Sequence, residues 1–147
     1  MSFNNVIPAN LLDKSWGRST GWIQELKSNE VFVYGDNEAH IHGKGAAKQA
    51  MRFGAKYGQQ ITEQTYGIPT KDKKIKYTLS LGKIRKYIDE FINYAKQNPD
   101  KIFLVTEIGC GLAGLRYEDI APMFKEAIDI KNIHLPKKFW DILLERE

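Results

Sequence analysis

Three glycines fall within six residues in the stretch Thr106-Glu107-Ile108-Gly109-Cys110-Gly111-Leu112-Ala113-Gly114. Glycines let a backbone adopt positive φ and come close to a ligand. A helix start following such a loop offers free N–H groups and a favourable dipole. Together these residue types suit the holding of a phosphate; a tight strand-to-helix turn with no ligand would have the same composition. A second glycine-bearing stretch, Gly35-Asp36-Asn37 through His42-Gly43-Lys44-Gly45, adds groups with chemistry of their own. An unperturbed imidazole titrates near neutrality, so His42 could serve as general acid or base, hydrogen-bond a ligand hydroxyl, or simply fix its loop. Asp36 could orient a water, bind a ribose hydroxyl, or bond nearby backbone as turn aspartates do. Cys110 lies near an expected helix N-terminus, which can lower a thiol pKa. No base is evident beside it, so it reads as a small packing residue. Glu107 reads as a structural carboxylate. His40 and His42 stand two apart with no third ligand in view, which argues against a metal site.

These groups need elements to position them. Ile102-Phe103-Leu104-Val105 is an apolar, β-prone run leading into the later glycine loop. The helix expected after that loop carries Ile120, Met123, Phe124, Ala127 and Ile128 on one face, with Asp119 as N-cap and Pro122 in its first turn. Val31-Phe32-Val33-Tyr34 reads as a strand ending in the turn-forming Gly35-Asp36-Asn37. A helix over about Ala46–Tyr57, closed by Gly58, follows, with Gly43, Ala46, Ala47, Ala50 and Gly54 as its narrow face. Gln64–Ile68 reads as a strand ended by Pro69. Leu81, Ile84, Ile88, Phe91, Ile92 and Ala95 lie at helical spacing, which predicts an amphipathic helix from the N-cap Ser80 to Gln97. Asn132–Leu135 reads as a short strand and Pro136 as the opening of a last helix. Ahead of all this, Ser2–Ser19 reads as an irregular arm, with a short strand at Phe3–Ile7 and Trp16 and Trp22 docking it on the core. Gly21–Lys27 reads as a short helix.

Alternating strands and helices predict a single α/β domain over residues 1–147, with a parallel or mostly parallel sheet covered on both faces. Ligands in such folds bind at the carboxyl ends of strands. Both glycine loops follow strands, so both could border one crevice and favour a pyrophosphate-containing ligand.

Composition narrows the function classes. The chain has 147 residues, 42% hydrophobic and 27% charged, as expected of a globular protein with one core. It has no transmembrane-length apolar stretch, and Met1–Asn10 lacks signal-peptide architecture, so no membrane partner is expected. The single cysteine excludes an internal disulfide and suits a cytoplasmic location. A net charge of +4 favours an anionic ligand but is too small to argue for nucleic acid. Lys71, Lys73, Lys74 and Lys76 form the densest basic cluster, read as a solvated loop or as one or two phosphate contacts.

The segment Glu107–Leu115 resembles the second phosphate loop of macrodomains, in the branch whose loop reads Ile-Gly-Cys-Gly-Leu. Val33–Asn37 through His42–Ala47 resembles the macrodomain Asn-containing turn and its glycine loop. Tyr66-Gly67-Ile68-Pro69-Thr70-Lys71 stands where the intervening strand would end. The likeness spans roughly residues 30–136 and is similar to small phage and bacterial macrodomain-like proteins. It implies a three-layer α/β/α macrodomain-like fold and a small-molecule nucleotide ligand, ADP-ribose or a relative, with no cofactor. Carried over by position, Asn37 would contact the distal ribose, with Gly35, Gly43, Lys44, Gly45 and Ala46 beside it. Gly109, Cys110, Gly111, Leu112, Ala113 and Gly114 would wrap the pyrophosphate with backbone N–H groups.

Some macrodomains also remove ADP-ribose or acyl groups from derivatives. For such a hydrolase Asp36, His42 and Lys71 are the candidate catalytic residues near the distal ribose. One hydrolase branch carries an aspartate just after Gly-Cys-Gly-Leu, where this chain has Ala113, and no counterpart of the acidic residue that often holds adenine is evident. An interaction domain that kept the fold and lost the pocket is the third reading.

Overall fold

A computed structural model describes residues 25–41 and 45–145, together with the backbone of 15–16. The elements run β1 (Ser15–Trp16), β2 (Glu30–Asn37), α1 (Gly45–Ala50), β3 (Thr65–Lys71), α2 (Leu81–Lys96), β4 (Ile102–Val105), α3 (Tyr117–Ile120), β5 (Ile133–Pro136) and α4 (Lys137–Leu143). The sheet order is β1-β5-β4-β2-β3, and every pair is parallel. This is an α/β fold built on a parallel sheet, as the alternation of elements predicts.

β2 organises the sheet because its side chains are apolar on both faces. Successive strand residues point to opposite sides. Val31 and Val33 join a core with Ile84, Ile88, Phe91, Ile92 and Ala95 of α2 and with Phe139 and Trp140 of α4. Phe32 and Tyr34 instead pack with Ala47 and Ala50 of α1 and with Ala55. The small residues of α1 let that helix lie close against two aromatic rings. Burying Phe32 alone contributes roughly 1.5–3 kcal/mol.

α2 follows its sequence pattern closely. Ser80 caps it, its Oγ accepting the Lys83 N–H at 3.2 Å. Ile84, Ile88, Phe91, Ile92 and Ala95 are buried, whereas Leu81, expected on the same face, stays exposed in the first turn.

Several expectations are corrected. β2 continues through Gly35-Asp36-Asn37, because β3 pairs with it there and overrides the local turn preference. β3 runs through Pro69 to Lys71 rather than ending at the proline. Gly67 directs its N–H and C=O outward to Gln60, and Pro69, two residues on, faces the same outer edge, where its missing N–H breaks no ladder bond. The helix expected over Ala46–Tyr57 is α only to Ala50. A 3-10 turn over Met51–Phe53 follows, and Gly54, at φ +101°, closes it in place of Gly58. Ala55 is buried immediately afterwards, so the chain must turn inward there.

Beyond the second glycine loop there is one α-helical turn, α3, followed by a 3-10 segment over Ala121–Asp129. Arg116, not Asp119, occupies the N-cap position. Pro122 opens the 3-10 segment, and Phe124 breaks its helical geometry. The arm expected to be irregular contributes β1, paired with β5. Glu25–Lys27, the described end of the expected Gly21–Lys27 helix, is not helical. The Phe3–Ile7 strand, the Trp16 and Trp22 side chains, and His42, Gly43 and Lys44 lie outside the described residues. Among the described residues no helix is long and apolar enough to cross a membrane.

Candidate functional site

The carboxyl ends of β2, β3 and β4 converge on a cavity of about 820 Å³, within the range of small-molecule sites, roughly 300–1,000 Å³. Gly35, Asp36 and Asn37 line it from β2, Thr70 and Lys71 from β3, and Thr106 and Glu107 from the end of β4. Gly45, Ala46, Ala47 and Gln49 of α1 form one wall; Gly109, Cys110, Gly111, Leu112 and Ala113 form another. The two glycine-bearing stretches therefore border one crevice. Of the sequence-derived ligand set, Gly114 stands outside the lining.

The second loop is shaped by its glycines. Gly109 and Gly114 take φ of +77° and +75°, a region costly for residues with a Cβ. The loop lies directly against β2: a Cβ on Gly35 would stand 3.4 Å from the Gly109 nitrogen, at ordinary contact distance. Inside the loop, the Cys110 N–H bonds Glu107 C=O, the Gly114 N–H bonds Gly111 C=O, and the Leu115 N–H bonds Gly109 C=O. The N–H groups of Gly109, Gly111, Leu112 and Ala113 have no acceptor among the described residues, and all four residues line the cavity. Consecutive free N–H groups in a tight loop form an anion-binding concavity. The expected contribution of the following helix is absent. α3 spans four residues, and none of them lines the cavity.

The ionisable groups are mostly engaged. Asp36 is buried. Its Oδ1 accepts the Asn37 N–H at 2.8 Å, and its Oδ2 accepts Nδ1–H of His40 at 2.7 Å. His40 reaches it by holding φ at +57°. The Asp36 carboxylate also acts on Tyr34, whose phenol pKa is pushed up chiefly by burial and further by that charge. Asn37 spends its side chain on the β2–α1 loop: its Oδ1 accepts from Ala39 and Ile41 N–H, and its Nδ2 donates to Ile41 C=O. Glu107 accepts the Tyr117 hydroxyl at 3.0 Å, a structural bond. Burial pushes the Cys110 thiol up to about 12, with Glu107 adding to the effect. That is the opposite of an activated nucleophile. Thr106 and Thr70 donate their hydroxyls to Val33 and Asp36 C=O. No group of three metal-ligating side chains occurs among the described residues.

Sequence reasoning gave no site role to Phe32, Ile41, Ala47, Gln49, Thr70 or Ile75, all of which line the cavity. Thr70 could have been found by counting to the carboxyl end of β3, had Pro69 not been read as its end. Ile41, Ile75 and Leu112 are large, exposed aliphatic residues from three different loops, gathered at one cavity. Ile75 is held at φ +58°, a conformation that costs a β-branched residue about 1–3 kcal/mol. Thr78 joins its loop to the glycine loop by donating to Ala113 C=O at 2.9 Å. No protein-family model matches the chain, and no curated protein matches it.

Proposed function

We propose that the cavity binds ADP-ribose or a closely related nucleotide, with the pyrophosphate against the Gly109–Ala113 loop. The observation that carries this reading is the set of four backbone N–H groups with no acceptor among the described residues, on a loop that lines a cavity of nucleotide size. The macrodomain-like pattern of both loops supports the same ligand class. Binding without turnover is the favoured activity. Asp36 and Glu107 are bonded within the protein, and Cys110 is held as a thiol. Among the described residues, Lys71 is the candidate catalytic residue that remains at the wall.

Calorimetric titration with ADP-ribose, AMP, ADP and NAD tests the proposal on wild type and Gly111→Glu. Gly111 is the right position, because a Cβ there meets nothing within 4 Å and its φ lies outside the positive region. The variant therefore keeps its fold while placing a carboxylate against the expected pyrophosphate. ADP-ribose-preferring binding that falls about a hundredfold or more in the variant is the expected result, since like charges in a site cost several kcal/mol. Wild type that binds none of the four ligands overturns the proposal and leaves the interaction-domain reading.

A further inference from the structure

The densest charge on the molecule lies beside the cavity. Residues 71–86 hold seven of the chain's 22 cationic residues and one of its 18 acidic ones. The chain reverses just after β3: Lys71 and Thr78 pair antiparallel, the Asp72 N–H bonds Tyr77 C=O, and the Ile75 N–H bonds Asp72 C=O. Asp72, the one acid in this hairpin, spends Oδ1 on the Lys76 and Tyr77 N–H groups. Its charge thus serves the turn and forms no ion pair with a lysine among the described residues. Lys73, Lys74 and Lys76 are exposed and form no ion pair among the described residues. Between them the Tyr77 ring is 63% exposed, with Lys76 Nζ 5.4 Å from its centre. The Thr78–Ala113 bond fixes this hairpin against the glycine loop.

We propose that the outer face of this hairpin binds single-stranded nucleic acid, with Tyr77 stacking on a base and Lys73, Lys74 and Lys76 contacting phosphates. Charge alone would also suit an acidic peptide. The exposed ring amid cations decides between them, because a stacking platform beside a basic track recognises bases and gains nothing from carboxylates. The small net charge of the whole chain conceals this surface by averaging it with acidic regions elsewhere. The inference stands apart from the cavity's ligand and does not need it.

The test is fluorescence anisotropy on the full chain with a labelled single-stranded oligonucleotide of about ten nucleotides. A labelled polyglutamate peptide serves as the competing class. The expected result is oligonucleotide binding whose log–log salt slope is about −2, as three lysine–phosphate contacts require. Lys73→Glu/Lys74→Glu and Tyr77→Ser should each weaken it about tenfold or more. Both variants change exposed side chains, and unchanged thermal unfolding confirms that they fold. ADP-ribose titration of Tyr77→Ser, whose side chain does not line the cavity, should match wild type. No oligonucleotide binding, binding indifferent to both variants, or equal affinity for polyglutamate would each overturn the proposal. Loss of the ADP-ribose reading would leave these outcomes unchanged.

Discussion

Gly67 and Asp36 share one space: a Cβ on Gly67 would stand 3.1 Å from both Cβ and Cγ of Asp36, with Oδ2 closer still. The Asp36 carboxylate therefore occupies the place of a side chain on β3, where it holds His40 and the Asn37 N–H. Gly67→Ala forces this buried carboxylate to move. We expect it to cost about 1–3 kcal/mol, the usual range for overpacking a filled site. Gly82→Ala is the matched control. It lies in α2 with nothing within 4 Å of a Cβ, so it should gain up to about 1 kcal/mol from helix propensity. Urea denaturation of both variants checks the contrast, and equal effects would contradict it.

Glu38 makes acid stability readable. The Tyr87 hydroxyl donates to Glu38 at 2.5 Å and Lys83 pairs with it at 2.9 Å, and these hold its carboxyl below the ordinary value of 4.5. A depressed folded pKa gives stability that is present above the unfolded value and disappears as pH falls through the folded one. Wild type should therefore lose stability relative to Glu38→Gln as pH drops below 4.5. Tyr87 is raised to about 12, by burial first and then by Glu38, so its contribution is lost at the other end as pH rises from 10.0 through about 12. Urea midpoints across both windows test the pair, and parallel curves for wild type and Glu38→Gln would refute it.

Much of this arrangement was legible where local pattern and tertiary packing agree. The 3.6 period of α2, the Ser80 cap and the apolar Val31–Tyr34 run all specify what forms. The glycine clusters mark the two loops that meet at the cavity. Disagreement arose where pairing overrides local preference. Gly35-Asp36-Asn37 favours a turn until β3 lies beside it, and Pro69 stops a central strand but not the outer edge of this one. The one-turn α3 and the 3-10 segment after it carry the apolar spacing of a full helix, so their period could not reveal the break. Ile75 offered no signal, because nothing in a lysine-rich turn shows which residue faces a cavity formed by distant loops.

Cys110 lines the cavity yet is chemically quiet. With its thiol pushed up to about 12 by burial and by Glu107, little thiolate exists near neutral pH. Its Sγ–H instead donates to Ile108 C=O at 3.4 Å. In the folded protein at pH 8, a disulfide reagent should react far more slowly with Cys110 than with a free thiol, and urea should restore the rate. Cys110→Ala should leave ADP-ribose affinity within about twofold, the scale of a change that removes no charged contact. Rapid native labelling, or loss of binding in that variant, would return the cysteine to the chemistry of the site.

Ile75 pairs an unfavourable backbone with an exposed aliphatic side chain at the cavity. Left-handed backbone costs L-residues roughly 1–2 kcal/mol, and asparagine tolerates it far better than a β-branched residue. Ile75→Asn should therefore raise the unfolding free energy by about 1 kcal/mol, read as a higher urea midpoint at an unchanged slope, since the turn bonds from Asp72 use backbone groups that the substitution preserves. Strain kept at such a position is the pattern of a residue retained for its contact with a ligand. The same variant should then bind ADP-ribose more weakly than wild type, so that stability and affinity move in opposite directions. A variant that gains stability and keeps full affinity would show that Ile75 is tolerated at the rim without serving the ligand.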